Sequence, residues 1–257
     1  MKILSWNVNG LRAVYRKGAI QPLLEGEFDI ICLQETKSRP EQLPDDLRDP
    51  SHYQAAFSSS DIKSGYSGVA TFSRRSMGEV EHGFGVPDFD QEGRVLKTDI
   101  SPDIALLNVY FPNGKQSPDR LDYKLRFYEG TLRYLDTLNQ QGQQVIVCGD
   151  VNTAHQPIDL AHPKENERSS GFLPIEREWI DRLLASGYVD IFRQHHPKQT
   201  DAYTWWDMKT HARARNIGWR IDYFFVPVSL LDKIVNSVIH SDILGSDHCP
   251  ISIELTI

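Results

Sequence analysis

Residues 145–152, Val-Ile-Val-Cys-Gly-Asp-Val-Asn, restrict the possible folds more than any other stretch of the chain. Val145 to Cys148 are apolar without alternation, the pattern of a strand covered on both faces. Gly149 ends the run without a side chain and leaves room for another backbone to come close. Asp150 and Asn152 stand two residues apart, so in an extended chain they point the same way. A carboxylate and an amide at a buried strand end can hold a water and a phosphoryl oxygen. Gly-Asp and Asn are also common turn residues, so this stretch alone leaves both readings open.

The rest of the chain predicts a layered α/β domain. Residues 2–8 read as a first strand with Asn7 and Asn9 at its far end, 11–26 as a helix, and 29–34 as a second apolar strand ending in Glu35-Thr36-Lys37. Residues 38–64 are rich in Pro, Ser and Asp and read as loop. Strands are expected at 67–73, 94–100 and 104–110. Ser117-Pro118 then opens the clearest helix, with Leu121, Leu125, Tyr128, Leu132 and Leu135 as its apolar stripe and Gly142 as its stop. A second helix is expected from Pro174, with Ile175, Trp179, Ile180, Leu183 and Leu184 inward and Gly187 closing it. Residues 153–172 read as irregular, and 222–226, 235–240 and 250–257 complete about ten strands, too many for one small sheet. Two face-to-face sheets with helices outside would bury them. No repeat or low-complexity linker divides the chain, so residues 1–257 are read as one domain.

Charge and cysteine usage narrow the function. Lys and Arg number 28 against 35 Asp and Glu, a net charge of −7, opposite in sign to the usual nucleic-acid footprint. Residues 205–220 run the other way, with Lys209, Arg213, Arg215 and Arg220 against Asp207, a stripe suited to gripping a polyanion. There is no apolar run long enough to span a membrane and no signal-peptide pattern. Three cysteines without a Cys-x-x-Cys suggest neither a disulfide framework nor a zinc site, and a cytoplasmic protein is expected.

Polar residues recur at predicted strand ends: Asn7, Asn9, Glu35, Tyr110, Asp150, Asn152, Asp222, Asp247 and His248. Ends on one edge of a sheet sandwich can converge. Their oxygen donors favour magnesium, manganese or calcium over zinc. A Gly-x-Ser-x-Gly elbow and a Walker loop are both absent. Metal-assisted phosphoester hydrolysis by water is what remains.

At this point the chain resembles the exonuclease III family of abasic-site (AP) endonucleases, within the larger endonuclease/exonuclease/phosphatase fold. The matching segments are Ser5-Trp6-Asn7-Val8-Asn9-Gly10-Leu11-Arg12, Leu33-Gln34-Glu35-Thr36-Lys37, Gly65-Tyr66-Ser67-Gly68-Val69 and Tyr110-Phe111-Pro112-Asn113-Gly114. Cys148-Gly149-Asp150-Val151-Asn152-Thr153-Ala154-His155, Gly171-Phe172-Leu173-Pro174 and Tyr203-Thr204-Trp205-Trp206 follow. Gly218-Trp219-Arg220-Ile221-Asp222-Tyr223 and Gly245-Ser246-Asp247-His248-Cys249-Pro250 complete the ordered set.

The resemblance implies a four-layered α/β sandwich of two packed mixed sheets flanked by helices, magnesium dependence with manganese as substitute, and a monomer that cuts double-stranded DNA 5′ to abasic sites. It also implies 3′-phosphodiesterase or 3′–5′ exonuclease activity, and leaves open incision at damaged nucleotides such as deoxyuridine. Glu35 would be the direct metal ligand, with Asn7, Asn9 and Asp247 completing the site, although many relatives have Asp at position 9. Asp150 would activate the water, Asn152 would help orient it and the scissile phosphate, His248, held by Asp222, would donate to the phosphate, and Tyr110 would contact the phosphate or the leaving group. Arg12, Lys17, Lys37, Tyr66 and Asn166 match backbone-gripping positions. Trp205 and Trp219 would wall a pocket for the extruded sugar, and Lys115 and Lys209 lie on loops that could enter the grooves.

Overall fold

The computed structural model describes residues 1–256. Its strands are β1 (Lys2–Asn7), β2 (Ile30–Gln34), β3 (Gln54–Ser58), β4 (Val69–Ser73), β5 (Val80–His82), β6 (Val95–Ser101) and β7 (Ile104–Tyr110), followed by β8 (Gln144–Asp150), β9 (Tyr188–Asp190), β10 (Trp205–Trp206), β11 (Gly218–Trp219), β12 (Asp222–Pro227), β13 (Ile234–Ile239) and β14 (Ile251–Leu255). One six-stranded sheet runs β13-β14-β1-β2-β4-β3 and a second runs β5-β6-β7-β8-β12-β9. Strands β10 and β11 form a separate ribbon. Both large sheets are mixed. β1 pairs parallel with β2, β7 parallel with β8, and the other neighbours are antiparallel.

Side-chain alternation along the strands builds the four layers. Ile3, Ile30 and Cys32 of the first sheet pack with Leu106, Ile146, Cys148 and Phe224 of the second, filling the space between them. Leu4, Trp6, Ile31 and Leu33 point the other way, under Leu11, Val14 and Leu23. Val145 and Val147 likewise face outward onto Phe127, Tyr128, Trp179 and Leu183 of the two long helices. The apolar run at 145–148 is therefore a strand covered on both sides, as its composition requires. Polar ties also cross between the sheets beneath the site: Gln34 Nε2 donates to Asn108 Oδ1 at 2.7 Å, and Asn108 Nδ2 donates to the Ala70 carbonyl at 2.9 Å.

The helix Pro118–Gln140 is the crossover that makes β7 and β8 parallel. Ser117 Oγ accepts from the Arg120 amide at 3.2 Å, a cap worth about 1 kcal/mol. Its buried face differs from the predicted stripe. Tyr123, Lys124, Phe127, Tyr128, Thr131, Leu135 and Leu138 are buried, while Leu121, Leu125 and Leu132 sit at the flank. The aromatic cluster of Phe84, Phe89 and Phe127 rotates the helix toward its larger side chains. In helix Pro174–Ala185, Ile175 is 53 % exposed rather than inward.

Two further boundaries differ. Residues 11–26 form two short helices, Leu11–Arg16 and Gln21–Glu25, because Gly18 takes a left-handed φ of 69° between them. The supposed loop at 38–64 contains edge strand β3, whose half-buried residues carry little periodic signal. The end of the last predicted strand, Ile257, lies outside the described residues.

Candidate active site

Strand register brings the site together. Asn7 lies beside Gln34 at the parallel ends of β1 and β2, so Glu35 emerges next to it. In the second sheet Tyr110 pairs with Asp150, and Asp150 pairs with Asp222 on its other side. Gly149 makes this row possible. Its φ is 133°, and a Cβ there would stand 1.9 Å from the Val109 carbonyl oxygen, prising β7 from β8 one residue before Asp150. The loop before β14 delivers Asp247 and His248 from the first sheet to the same cleft.

Asp150 is at the centre and almost fully buried. Its Oδ2 accepts from Asn7 Nδ2 at 2.8 Å and Asn152 Nδ2 at 3.1 Å, and its Oδ1 accepts from the Asn152 amide at 2.8 Å. Asn152 reaches back through a left-handed φ of 55°, not as the second residue of an extended pair. Burial pushes the Asp150 carboxyl up to about 7. Asp222 and Glu35 act in the same direction, while His248 and the Asn152 N–H oppose them. His248 Nδ1 is 2.8 Å from Asp222 Oδ2, and its Nε2 is 3.9 Å from Asp150 Oδ2. Burial disfavours the imidazolium, but Asp222, Asp150 and Asp247 outweigh it and hold His248 charged, up to about 10. Tyr110 is raised well above an ordinary phenol by burial and by Glu35 and Asp150, so it stays protonated.

Glu35, Asp150 and His248 offer atoms within 4.8 Å of one another. Burial raises the Glu35 carboxyl, yet Lys37, Asn7 and His248 bring it below the usual range. Asp247 is likewise low, because His248, Asn9 and Trp205 offset its burial. Two ionised carboxylates beside neutral amides are a donor set that fits a hard divalent cation. Asn7 enters differently from the expectation. Its Nδ2 bridges Glu35 Oε1 at 2.9 Å and Asp150, while its Oδ1 takes the Asn9 amide, so it joins the two carboxylates as a donor. Asn9 Nδ2 donates to Asp247 Oδ1 at 2.9 Å, and its Oδ1 accepts from Lys37, whose Nζ lies 2.8 Å from Glu35.

Asn9, Glu35, Lys37 and Asn152 all have φ between 44° and 55°. Such backbone costs about 1–3 kcal/mol per residue and persists where its surroundings hold it. Four cases at one cleft mark a preorganised site.

A cavity of about 210 Å³ opens beside these groups, lined by Tyr110, Asn152, Trp205, Trp219, Asp247 and His248 among others. The two indoles meet edge to face at 6.5 Å, and Trp205 Nε1 donates to Asp247 Oδ2 at 3.1 Å. Lys115 is exposed on its loop, with its ammonium folded over the pocket wall. Its ammonium lies 5.2 Å and 5.0 Å from the Trp205 and Trp219 ring centres, where burial lowers its pKa and cation–π attraction holds it.

The remaining predicted contacts are dispersed. Arg12 and Lys209 are exposed, and Lys17 Nζ bonds the Gly245 carbonyl at 2.6 Å. Asn166 Nδ2 is turned onto the His162 carbonyl at 3.0 Å. Tyr66 Oη receives Arg94 at 2.8 Å and Arg120 at 3.0 Å. Half of the basic stripe at 205–220 is spent inside the protein, while Lys209 and Arg215 are exposed. Arg220 is fully buried on Asp159 and Asp190, and Arg213 binds the carbonyls of Ser241, Ile243 and Ser246.

Sequence reasoning passed over Asn113 and Arg94 as individual residues. Asn113 Nδ2 holds Asn152 Oδ1 at 3.0 Å, and Arg94 stacks 4.5 Å over the Tyr110 ring. Asn113 carries a signal in the sequence, its place just past the β7 end in Tyr110-Phe111-Pro112-Asn113-Gly114. Arg94 sits in an apolar strand context with no signal of its own.

The comparisons with known proteins agree with this geometry. The Endonuclease/Exonuclease/phosphatase family model matches residues 4–248. The Exodeoxyribonuclease of Bacillus subtilis (strain 168) is 45% identical over 100% of both chains. DNA repair nuclease APEX1 of Danio rerio is 41% identical over 100% of this chain and 83% of its own length. The crystal structure of AP endonuclease LMAP from Leishmania major superimposes with a TM-score of 0.91 at 32% identity, covering 100% of this chain and 87% of that one. With these relatives and the ordered motifs at its strand ends, the chain belongs to the Endonuclease/Exonuclease/phosphatase family, as a member of its exonuclease III type.

Proposed function

We propose that this protein is a divalent-metal-dependent DNA-repair nuclease. It hydrolyses the phosphodiester 5′ to an abasic site and removes 3′-blocking groups or 3′ nucleotides. The observation that carries this reading is the meeting of Asp150, Asn152 and the His248–Asp222 pair beside a cavity walled by two tryptophans. The names of the Bacillus subtilis, Danio rerio and Leishmania major relatives support the same chemistry.

Asp150, with its carboxyl near neutrality, suits the task of taking a proton from the attacking water. Asn152 orients that water, and cationic His248 donates to a phosphoryl oxygen as negative charge develops there. Tyr110, a protonated phenol, provides a further donor. Glu35, with Asn9 and Asp247 beside it and Asn7 fixing its carboxylate, would hold Mg²⁺, or Mn²⁺ in its place. The bound ion would supply Lewis-acid neutralisation of the phosphoryl charge.

Trp205 and Trp219 offer flat walls to a sugar that has lost its base. Such a sugar leaves the duplex at less cost than an intact nucleotide. Arg12, Lys17, Lys37, Tyr66, Asn166 and Lys209 would grip the flanking backbone, and Lys115 would leave the indoles to meet it. We further propose a single catalytic domain, monomeric and cytoplasmic. Among the described residues no helix is long and apolar enough to cross a membrane.

Duplexes carrying one abasic site, one uracil or neither, incubated with and without EDTA, test the reading. Nicking confined to the abasic duplex and abolished by EDTA is expected. Equal cleavage of all three points to a general nuclease, and binding without cleavage to a non-catalytic DNA-binding module.

A further inference from the structure

Behind the catalytic turn lies an ion pair that none of these roles uses. Lys124, on helix Pro118–Gln140, and Glu176, in the first turn of helix Pro174–Ala185, are both 0 % exposed. All three Lys124 ammonium hydrogens have partners: Glu176 Oε1 at 2.7 Å, Thr153 Oγ1 at 2.8 Å and the Asn152 carbonyl at 2.8 Å. Glu176 Oε1 also accepts from Ser170 Oγ at 2.8 Å, and its Oε2 accepts from the amides of Gly171 at 2.6 Å and Leu173 at 3.1 Å.

A buried ion pair is a poor source of stability compared with apolar residues of the same volume. Its connections are more informative. The Lys124 end grips Asn152, whose amide and side chain hold both oxygens of Asp150. The Glu176 end grips Gly171, which lines the cavity against Trp219. The two gripped segments also touch directly, through the Ala154 amide and the Gly171 carbonyl at 2.8 Å.

We propose that Lys124 and Glu176 are a positioning pair for catalysis. They fix the Asn152 turn against the pocket floor, so that a sugar seated on Trp219 is in register with Asp150. The inference rests on the roles proposed for Asp150 and Asn152. Displacing a catalytic group by about 1 Å can cost on the order of a hundredfold in rate.

The test compares wild type with Lys124→Met/Glu176→Gln, Lys124→Arg and Glu176→Asp, each checked for a cooperative melt. For incision of an abasic duplex, the double variant should lose about tenfold to a hundredfold in kcat. Its KM should change less than about threefold. Lys124→Arg, which keeps the donors, should recover most of the loss. Amide exchange at 152–154, measured without DNA, should quicken in the double variant. A folded double variant with wild-type kcat, or Lys124→Arg as impaired as the double, overturns the inference. Glu176→Asp keeps the charge but withdraws the carboxylate. It should show the same split at smaller size, and an unchanged kcat there overturns the proposal even if the double variant fails to fold. If wild type leaves abasic duplexes intact, the proposed function is at fault. The exchange measurement then still decides whether the pair holds the turn.

Discussion

The cleft and the pocket wall beside it are built in opposite ways. Asp150, Asn7 and Asp222 sit on strand ends, almost wholly buried, with short hydrogen bonds from several elements. Trp205 and Trp219 are half-buried, on a two-stranded ribbon outside both large sheets, with Phe172 and Ile221 behind them and the Lys115 ammonium over both rings. Dense hydrogen bonding and perturbed protonation belong to the first region, and flat apolar surface facing the cavity to the second. On the proposed reading, the first region does chemistry on any phosphodiester presented to it. The second decides which one arrives.

Breaking the buried cleft should therefore cost the most. Asp150→Asn and His248→Ala are each expected to lower the incision rate by about 10²–10⁴ while leaving binding to an abasic duplex intact. Gel-shift affinity in EDTA alongside single-turnover rates would separate the two effects. Loss of binding together with rate would make these residues substrate anchors. Glu35→Gln should act through the metal instead. Loss of its charge should weaken divalent-ion affinity by about tenfold to a hundredfold, with activity partly restored at raised magnesium. Calorimetric titration with Mn²⁺ reads that affinity directly, and an unchanged value would remove Glu35 from the site.

Protonation sharpens the contrast further. Asp150 must lose its proton to act as a base and His248 must keep its own, so the rate should rise with pH through the neutral range and fall toward about 10. Burial lowers the His248 pKa and Asp222 is the largest influence raising it, so Asp222→Asn should bring the high-pH limb down. An NMR titration of the His248 ring in the variant checks this. A ring that still titrates near 10 would mean Asp150 and Asp247 suffice.

What was legible in the sequence follows the same division. The strand-end residues could be read because apolar runs announce their strands and the polar residues after them mark where the strands stop. Gly149 was readable as a place for close backbone approach, although the backbone that comes close, at Val109, is remote in sequence. Charge was the poorest guide. Arg220 and Arg213 count as a basic stripe along the chain, but the fold turns them inward onto carboxylates and carbonyls. Lys124 was invisible for the converse reason. A lysine on a helix reads as solvated until a buried glutamate is found opposite it, 52 residues away in sequence. Edge strand β3 and the turn at Asn152 depend on tertiary contacts that no window of the sequence contains.

The smallest expected effect falls on the pocket wall and is the most informative about selection. Trp219 presents its ring to the cavity, meets Trp205 at 82° and lies beside Gly171. Trp219→Ala removes one wall and leaves Asp150, Asn152 and His248 on their own hydrogen bonds. The enlarged cavity should hold a base-free sugar less firmly and exclude an intact nucleotide less strictly. Abasic incision should then fall, by about tenfold if the sugar's apolar contact with the ring is worth roughly 1–2 kcal/mol, while cleavage at uracil or at undamaged positions falls less or rises. The quantity to measure is the ratio of the two rates on otherwise identical duplexes. A lower ratio places selection in the indole walls. If the ratio stays the same in Trp219→Ala and in Trp205→Ala, the walls only occupy space. Discrimination must then come from how the Lys115 and Lys209 loops bend the duplex before any sugar reaches the pocket.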